Sequence, residues 1–163
     1  PRKFGSILWT NQDPMTHRLI AHLGPEPLSN EFNTDYLYTE SRKRSLSIKS
    51  FIMNNSIVVG IGNIYANEAL FLSGINPKLK ANKISKLRYK KLIRSIKTIL
   101  SKAIDKGGTT LRDFVNENGM PGYFSNELKI YDRAGESCIE CKRKIKKIRQ
   151  NQRSTFYCAF CQT

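Results

Sequence analysis

Four cysteines, Cys138, Cys141, Cys158 and Cys161, stand as two Cys-x2-Cys pairs sixteen residues apart, and no other cysteine occurs in the chain. Thiolates are soft ligands, and two such pairs at this separation match a four-thiolate zinc site. Four protein ligands leave no open coordination position, so the expected metal is structural, one zinc ion. It would hold a hairpin that has too little core to fold alone. Disulfide pairing of the same four residues is the competing reading. The segment between the pairs, "KRKIKKIRQNQRSTFY", is strongly basic. A closed metal site presenting a basic loop points to a nucleic-acid partner.

Other residues could take part in that contact. Arg153 lies five residues before Cys158, near the expected hairpin tip. Its guanidinium could grip a phosphate bidentately, or be one solvated arginine among many. "VVGIGNIYANEALF" at 58–71 is a glycine turn running into a helix. Such a turn exposes backbone N–H groups to an anion, and Asn63 could add a side-chain donor or simply cap the helix. The context is wrong for a nucleotide fold. "PRKFG" sets Arg2 and Phe4 side by side. A phenylalanine beside an arginine could wedge into a base stack, but a packed strand residue is the preferred reading. Arg42-Lys43-Arg44 with Lys49 beyond reads as a solvated face. Segment 109–124 is a glycine-bearing loop that could close over an extruded base or lie on the surface. His17 and His22 carry no motif, and no nucleophilic triad or catalytic carboxylate pair stands out.

The elements that must position these groups fall into three zones. Residues 1–24 include "FGSILWT", a weakly alternating segment that could be a strand, followed by the proline-marked connector "LGPEPLS". The zone 25–117 is largely helical. Leu46, Ile48, Phe51, Ile52 and Met53 mark one helix. A second runs from Asn63 as N-cap to a stop at Gly74. A third spans about Ser85 to Lys106, with Leu87, Leu92, Ile93, Ile96, Leu100, Ala103 and Ile104 as its apolar stripe. Lys86, Arg88, Lys90, Lys91, Arg94 and Lys97 decorate its other side, and Gly107-Gly108 ends it. Thr110 with Asp113 is a weak capping box for a further short helix. In 118–163 the chain turns to β structure. "ELKIYDRAGE" is expected as a short strand followed by a turn, and "KIKKIR" pairs with "STFYC" across "QNQR". The fold class is therefore mainly α with a small β zinc ribbon.

The bulk composition agrees. Among 163 residues, 28 are Lys or Arg and 13 are acidic, a net charge of +15. That balance suits a phosphate backbone. No apolar run approaches the ~20 residues of a membrane span, and no signal peptide is visible, so a reducing cytoplasm and no membrane partner are expected.

Taken in order, "PRKFG", "LGPEPLS", "VVGIGNIYANEALF", "GGTTLRDFV", "GYF" and the Cx2C…QRSTFYCxxC block resemble the C-terminal part of bacterial formamidopyrimidine-DNA glycosylase. The resemblance covers essentially the whole chain. It implies a base-excision repair enzyme for oxidised purines such as 8-oxoguanine, with glycosylase and abasic-site β,δ-lyase activity. It implies a helix–two-turns–helix bundle followed by a four-cysteine zinc finger hairpin. Residues 1–24 would be a remnant of an N-terminal β-sandwich domain, 25–117 the DNA-binding domain, and 118–163 a lesion-recognition loop plus the finger.

The resemblance also assigns roles. Arg2 and Phe4 would enter the duplex where the damaged base has left. Lys49 and Asn63 would grip phosphates, and Arg44 would touch DNA. Arg153 would contact the lesion phosphate and serve the second, δ-elimination step. The partner is double-stranded DNA carrying an oxidised base or abasic site, the protein a monomer in the bacterial cytoplasm at the nucleoid. In this family the nucleophile is an N-terminal proline followed by glutamate. Here Pro1 is followed by Arg2 and belongs to a mid-protein motif, so the catalytic domain is expected to be missing and the fragment inactive. The other readings are a non-catalytic zinc-ribbon module and an endonuclease-VIII-like enzyme for oxidised pyrimidines.

Overall fold

The computed structural model describes residues 7–109 and 124–163. Helix α1 spans Thr34–Arg42, α2 Ile48–Ile52, α3 Asn63–Leu72 and α4 Lys86–Asp105, and the strands β1 (Lys146–Gln150) and β2 (Arg153–Tyr157) form one antiparallel hairpin. Short 3-10 turns lie at Pro14–Thr16, Ala81–Lys83 and Phe124–Glu127. Arg2 and Phe4, the Thr110–Asp113 capping box and nearly all of the 109–124 loop lie outside the described residues.

Side-chain caps start three of the helices. Asn33 accepts from the N–H groups of Asp35 and Tyr36, Ser47 from that of Ser50, and Ser85 from that of Arg88. The start of α3 differs from expectation: Gly62 is the N-cap, with no side-chain bond, and Asn63 is the first helical residue. Its amide is thereby freed to bond elsewhere. The expected stop holds, because Gly74 follows the Ser73 C-cap with φ 69°, a backbone region that glycine enters without a Cβ clash.

Helix α4 packs on α1 and α3. Its buried stripe is Tyr89, Leu92, Ile93, Ser95, Ile96, Ile99, Leu100 and Ala103. The expected Leu87 and Ile104 are instead exposed. Tyr89 and Ile99 take core positions instead. Arg42 also departs from the expected solvated face. Its guanidinium donates to the carbonyls of Ala81, Asn82 and Ile84 and stacks on Tyr38 at 4.1 Å, tying the 81–84 turn to α1. Arg88, expected on the outer side of α4, donates to the Gly74 and Thr163 carbonyls.

Two cores result. The larger lies among the four helices, with Phe32, Leu37, Phe51, Leu70, Tyr89 and Leu92 within it. The smaller joins Phe71, Ile130, Cys138, Ile145, Phe156 and Cys158. Helix α3 serves both, since Leu70 faces the first and Phe71 the second.

The short strand expected at the start of 127–136 does not form, although the turn expected after it does. Glu68, buried on α3, accepts the backbone N–H groups of Lys129, Ile130 and Tyr131 at 3.0, 2.9 and 2.8 Å. Three consecutive amides converging on one carboxylate require a curved strap, and the ladder bonds of a strand are consumed. The weakly alternating "ILWT" segment is likewise irregular where it is described, from Ile7 onward.

Candidate metal centre and nucleic-acid interface

The β-hairpin turns through Asn151 and Gln152, both at positive φ, 46° and 61°. Two central residues of that kind are the requirement of a tight two-residue hairpin turn whose twist suits the strands. The register runs from Lys146 opposite Tyr157 to Gln150 opposite Arg153. Arg153 therefore opens β2 directly after the turn and projects an exposed side chain at the tip.

At the other end of the hairpin the four cysteine sulfurs lie within 4.8 Å of one another. The Cys138–Cys161 sulfurs are 3.9 Å apart and the Cys141–Cys158 sulfurs 3.4 Å. A tetrahedral zinc with Zn–S bonds of about 2.3 Å places its sulfurs about 3.8 Å apart, so the set fits one structural zinc. All four thiols are free, and Cys138 and Cys158 are buried. Around the centre, Gln162 receives the Cys158 N–H and donates to the Ile75 carbonyl, binding the knuckle to the turn after α3.

Three side chains dock the hairpin on the helices. Lys49, only 2% exposed, donates from Nζ to the Ser154 carbonyl at 2.9 Å and to Thr155 Oγ1 at 2.7 Å. Asn63 Nδ2 donates to the same Ser154 carbonyl at 3.1 Å. Asn67 Oδ1 accepts the Phe156 N–H at 2.7 Å, while its own amide donates to the Asn63 carbonyl. Lys49, Asn63 and Arg153 are thus brought together around one strand start. Arg44 stands apart on the exposed stretch after α1, its backbone bonded to Ser41 and Asn82.

Asn67 and Glu68 were missed as docking residues. Their signal was available: two polar side chains inside an otherwise apolar, fully buried turn of α3, where each must find a partner.

Between α2 and the hairpin is a cavity of about 170 Å³ lined by Lys49, Ser50, Met53, Gln150, Asn151 and Arg153. Among the described residues, two cations and no carboxylate line it. Burial, and then the Arg153 guanidinium, hold the Lys49 ammonium down from 10.5 to about 8. Because the folded value lies below the unfolded one, the unfolded chain holds the extra proton between the two. Stability therefore climbs as pH rises from about 8 toward 10. Above 10 the tyrosines of the unfolded chain begin to ionise, while burial keeps Tyr89 neutral up to about 12, and stability falls again. In Lys49→Met the climb between pH 8 and 10 should be shallower, the remainder coming from the zinc-bound thiolates, whose thiols hold protons in the unfolded chain below about 8.5. Urea midpoints across that range measure it; an undiminished slope would place the titrating group elsewhere.

Known proteins share this arrangement. A family profile described as the formamidopyrimidine-DNA glycosylase H2TH domain matches residues 23–115, and one described as a zinc finger found in FPG and IleRS matches residues 135–163. The formamidopyrimidine-DNA glycosylase of Idiomarina loihiensis is 54% identical over 99% of this chain and 60% of its own length. That of Marinomonas sp. is 55% identical over 100% of this chain, again 60% of its length. The crystal structure of the MutM (Fpg) protein from Thermus thermophilus superposes with a TM-score of 0.84 at 32% identity, over 88% of this chain and 55% of that one. A Lactococcus lactis Fpg in complex with DNA containing an abasic site gives 0.81 at 35% identity, over 88% and 53%. The chain spans about 60% of the length of the curated relatives it matches.

Proposed function

This chain belongs to the formamidopyrimidine-DNA glycosylase H2TH family, and we propose that it is the DNA-gripping part of a base-excision repair glycosylase. The complete protein would remove oxidised purines such as 8-oxoguanine and cleave the abasic site by β,δ-elimination, in the bacterial cytoplasm. Its partner would be double-stranded DNA carrying the lesion, bound by a monomer. Within the chain, 25–117 would be the helical DNA-binding unit and 118–163 the recognition loop with the zinc finger.

The observation that carries this reading is the meeting of Lys49, Asn63 and Arg153 at the hairpin tip, beside a cavity lined, among the described residues, by two cations and no acid. Like charges that converge without a counter-charge repel, and an entering phosphate relieves the repulsion. Arg153 is free to reach a phosphate, and its position leaves it to stabilise the lesion phosphate through δ-elimination. Asn63 donates one amide hydrogen to Ser154 and keeps the other for DNA. Lys49 acts from beneath, as a buried charge. Arg44 would add a peripheral phosphate contact. Arg2 and Phe4 would fill the gap left by the extruded base.

A bare zinc-ribbon module would have the metal and the charge but not the helical unit matched over 23–115. The purine preference, against the pyrimidine-directed sister branch, rests on the resemblance of "GGTTLRDF" and "GMPGYF" to the purine-branch loop.

The test is duplex binding by this chain, measured by fluorescence anisotropy against salt. Arg153→Ala should weaken binding alike for every sequence and lower the log–log salt slope by about 1, as loss of one phosphate contact requires. An effect confined to the base opposite the lesion would overturn the phosphate role.

pH gives a second readout. A phosphate beside Lys49 raises its proton affinity, so binding is favoured while the amine is protonated. Affinity should decline as pH climbs through about 8. Borohydride trapping on oxidised duplex should yield no covalent adduct with this chain, since none of the residues assigned above is the Schiff-base amine.

A further inference from the structure

The solvent face of α4 has a composition that the DNA contact does not explain. Within Lys86–Asp105 there are seven cations and one acid, "KLRYKKLIRSIKTILSKAID". Leu87, Lys91, Arg94 and Thr98 recur at helical spacing and share one face. Among the described residues, the ion pairs are Lys86–Asp35, Lys106–Glu127 and Arg133–Glu136, so Lys90, Lys91 and Arg94 have no carboxylate within 4.0 Å.

Beside these cations runs a groove of about 350 Å³ lined by Leu72, Ser73, Lys91, Arg94, Ser95 and Thr98. Through Leu72, Ser73 and Lys91 it continues into a second hollow reached by Lys129, where Glu140 is the one carboxylate among the described residues. The C-terminal carbonyls of α3 offset part of the positive charge. Leu72 is 46% exposed, and Leu87, one turn before Lys91, is 66% exposed.

Two features select the occupant. The groove lies at the Leu72 end of α3, and Asn63 begins the other end. Nine rises of about 1.5 Å separate the two, about 14 Å. A duplex seated at the hairpin tip would have to reach along the whole of α3 to touch this groove. The exposed leucines then separate partners. A sugar–phosphate backbone gains from Lys91 and Arg94 but nothing from Leu72 or Leu87. An acidic peptide bearing an apolar side chain uses both.

We propose that the groove between α4 and the end of α3 docks an acidic peptide segment of another protein, its carboxylates on Lys91 and Arg94 and an apolar side chain against Leu72. This surface is independent of the DNA reading and stands or falls without it.

The probe is a fluorescein-labelled peptide, Asp-Asp-Leu-Asp-Asp-Leu, titrated with this chain. We expect a Kd of about 10 μM, weak enough for a transient contact. The double variant Lys91→Glu/Arg94→Glu should weaken it at least about tenfold while keeping its melting temperature, both sites being exposed. A probe with Ser in place of both Leu should lose binding similarly, and Arg153→Ala should leave it unchanged.

Three results would overturn the proposal: no binding at about 1 mM chain, equal binding of the Ser probe, or loss of duplex binding in the double variant. The second would reduce the groove to a general anion surface, and the third would make it part of the DNA interface.

Discussion

Cys158→Ser is expected to lose the zinc, unfold the β1–β2 hairpin and abolish duplex binding, while the four-helix body stays folded. The smaller core holds six buried side chains, and two of them, Cys138 and Cys158, are themselves ligands. Such a core cannot offset the ordering entropy of the segment around it. Zinc binding supplies on the order of 10–16 kcal/mol in isolated fingers, and a serine oxygen is a poor substitute for a thiolate. The larger core contains no cysteine and does not depend on the metal. Metal content by mass spectrometry should fall from one equivalent to none. Amide spectra should lose the hairpin resonances but keep those of α4. Retention of stoichiometric zinc with intact DNA binding would show that three sulfurs suffice and that the finger is held by its packing.

Glu68→Ala is expected to lower global stability by roughly 3–6 kcal/mol. The side chain is 4% exposed and carries three backbone bonds from Lys129, Ile130 and Tyr131. A buried donor left without a partner costs about 1–3 kcal/mol, in full for Ile130 and less for Lys129 and Tyr131, whose bonds are only part-buried. Glu68→Gln separates charge from geometry. Its carbonyl can hold the place of Oε1 and keep the Ile130 and Tyr131 bonds, but its amide then faces the Lys129 N–H. We expect about half the loss, near 2 kcal/mol. Urea denaturation at saturating zinc measures both variants. Hydrogen exchange at Lys129–Tyr131 should accelerate by a larger factor than in α4. A loss under about 1 kcal/mol for Glu68→Ala would mean that water replaces the carboxylate, and that the strap is not buried in solution.

The strap matters because it feeds the finger. Ile130 sits in the smaller core, next to Phe156 and Cys158. α3 therefore holds the finger from two sides, with Glu68 on the strap and Asn67 on β2. Two polar residues in an apolar turn signalled that partners were needed, but not which ones, because periodicity marks only which face of a helix is apolar. The partner of Asn67 lies 89 residues away and those of Glu68 lie 61 to 63 residues away. The same limit explains Arg42, which looked like part of a solvated basic run. Its carbonyl partners lie 39 to 42 residues on. Lys49 shows it most clearly. The motif resemblance gave it a phosphate contact but could not name its bonds to Ser154 and Thr155, 105 and 106 residues distant, which also make it a buried strut beneath the proposed contact.

Short-range chemistry, by contrast, was written in the order of residues. The cysteine spacing implied a closed zinc site, because a Cys-x2-Cys turn can chelate only locally. Gly74 and Gly107 stopped their helices through backbone freedom that no neighbour supplies. A hairpin across "QNQR" was legible, but it turns more tightly than expected, at Asn151-Gln152, with Gln150 and Arg153 paired in the strands. What folding alone decided was how these pieces meet: which edge of α4 is buried, why 127–136 bends around a carboxylate, and how Lys49, Asn63 and Arg153 come to one place. The first turns on which neighbours pack against the helix; the other two turn on a buried polar group, which is satisfied by whatever the tertiary structure brings within about 3 Å, however distant along the chain.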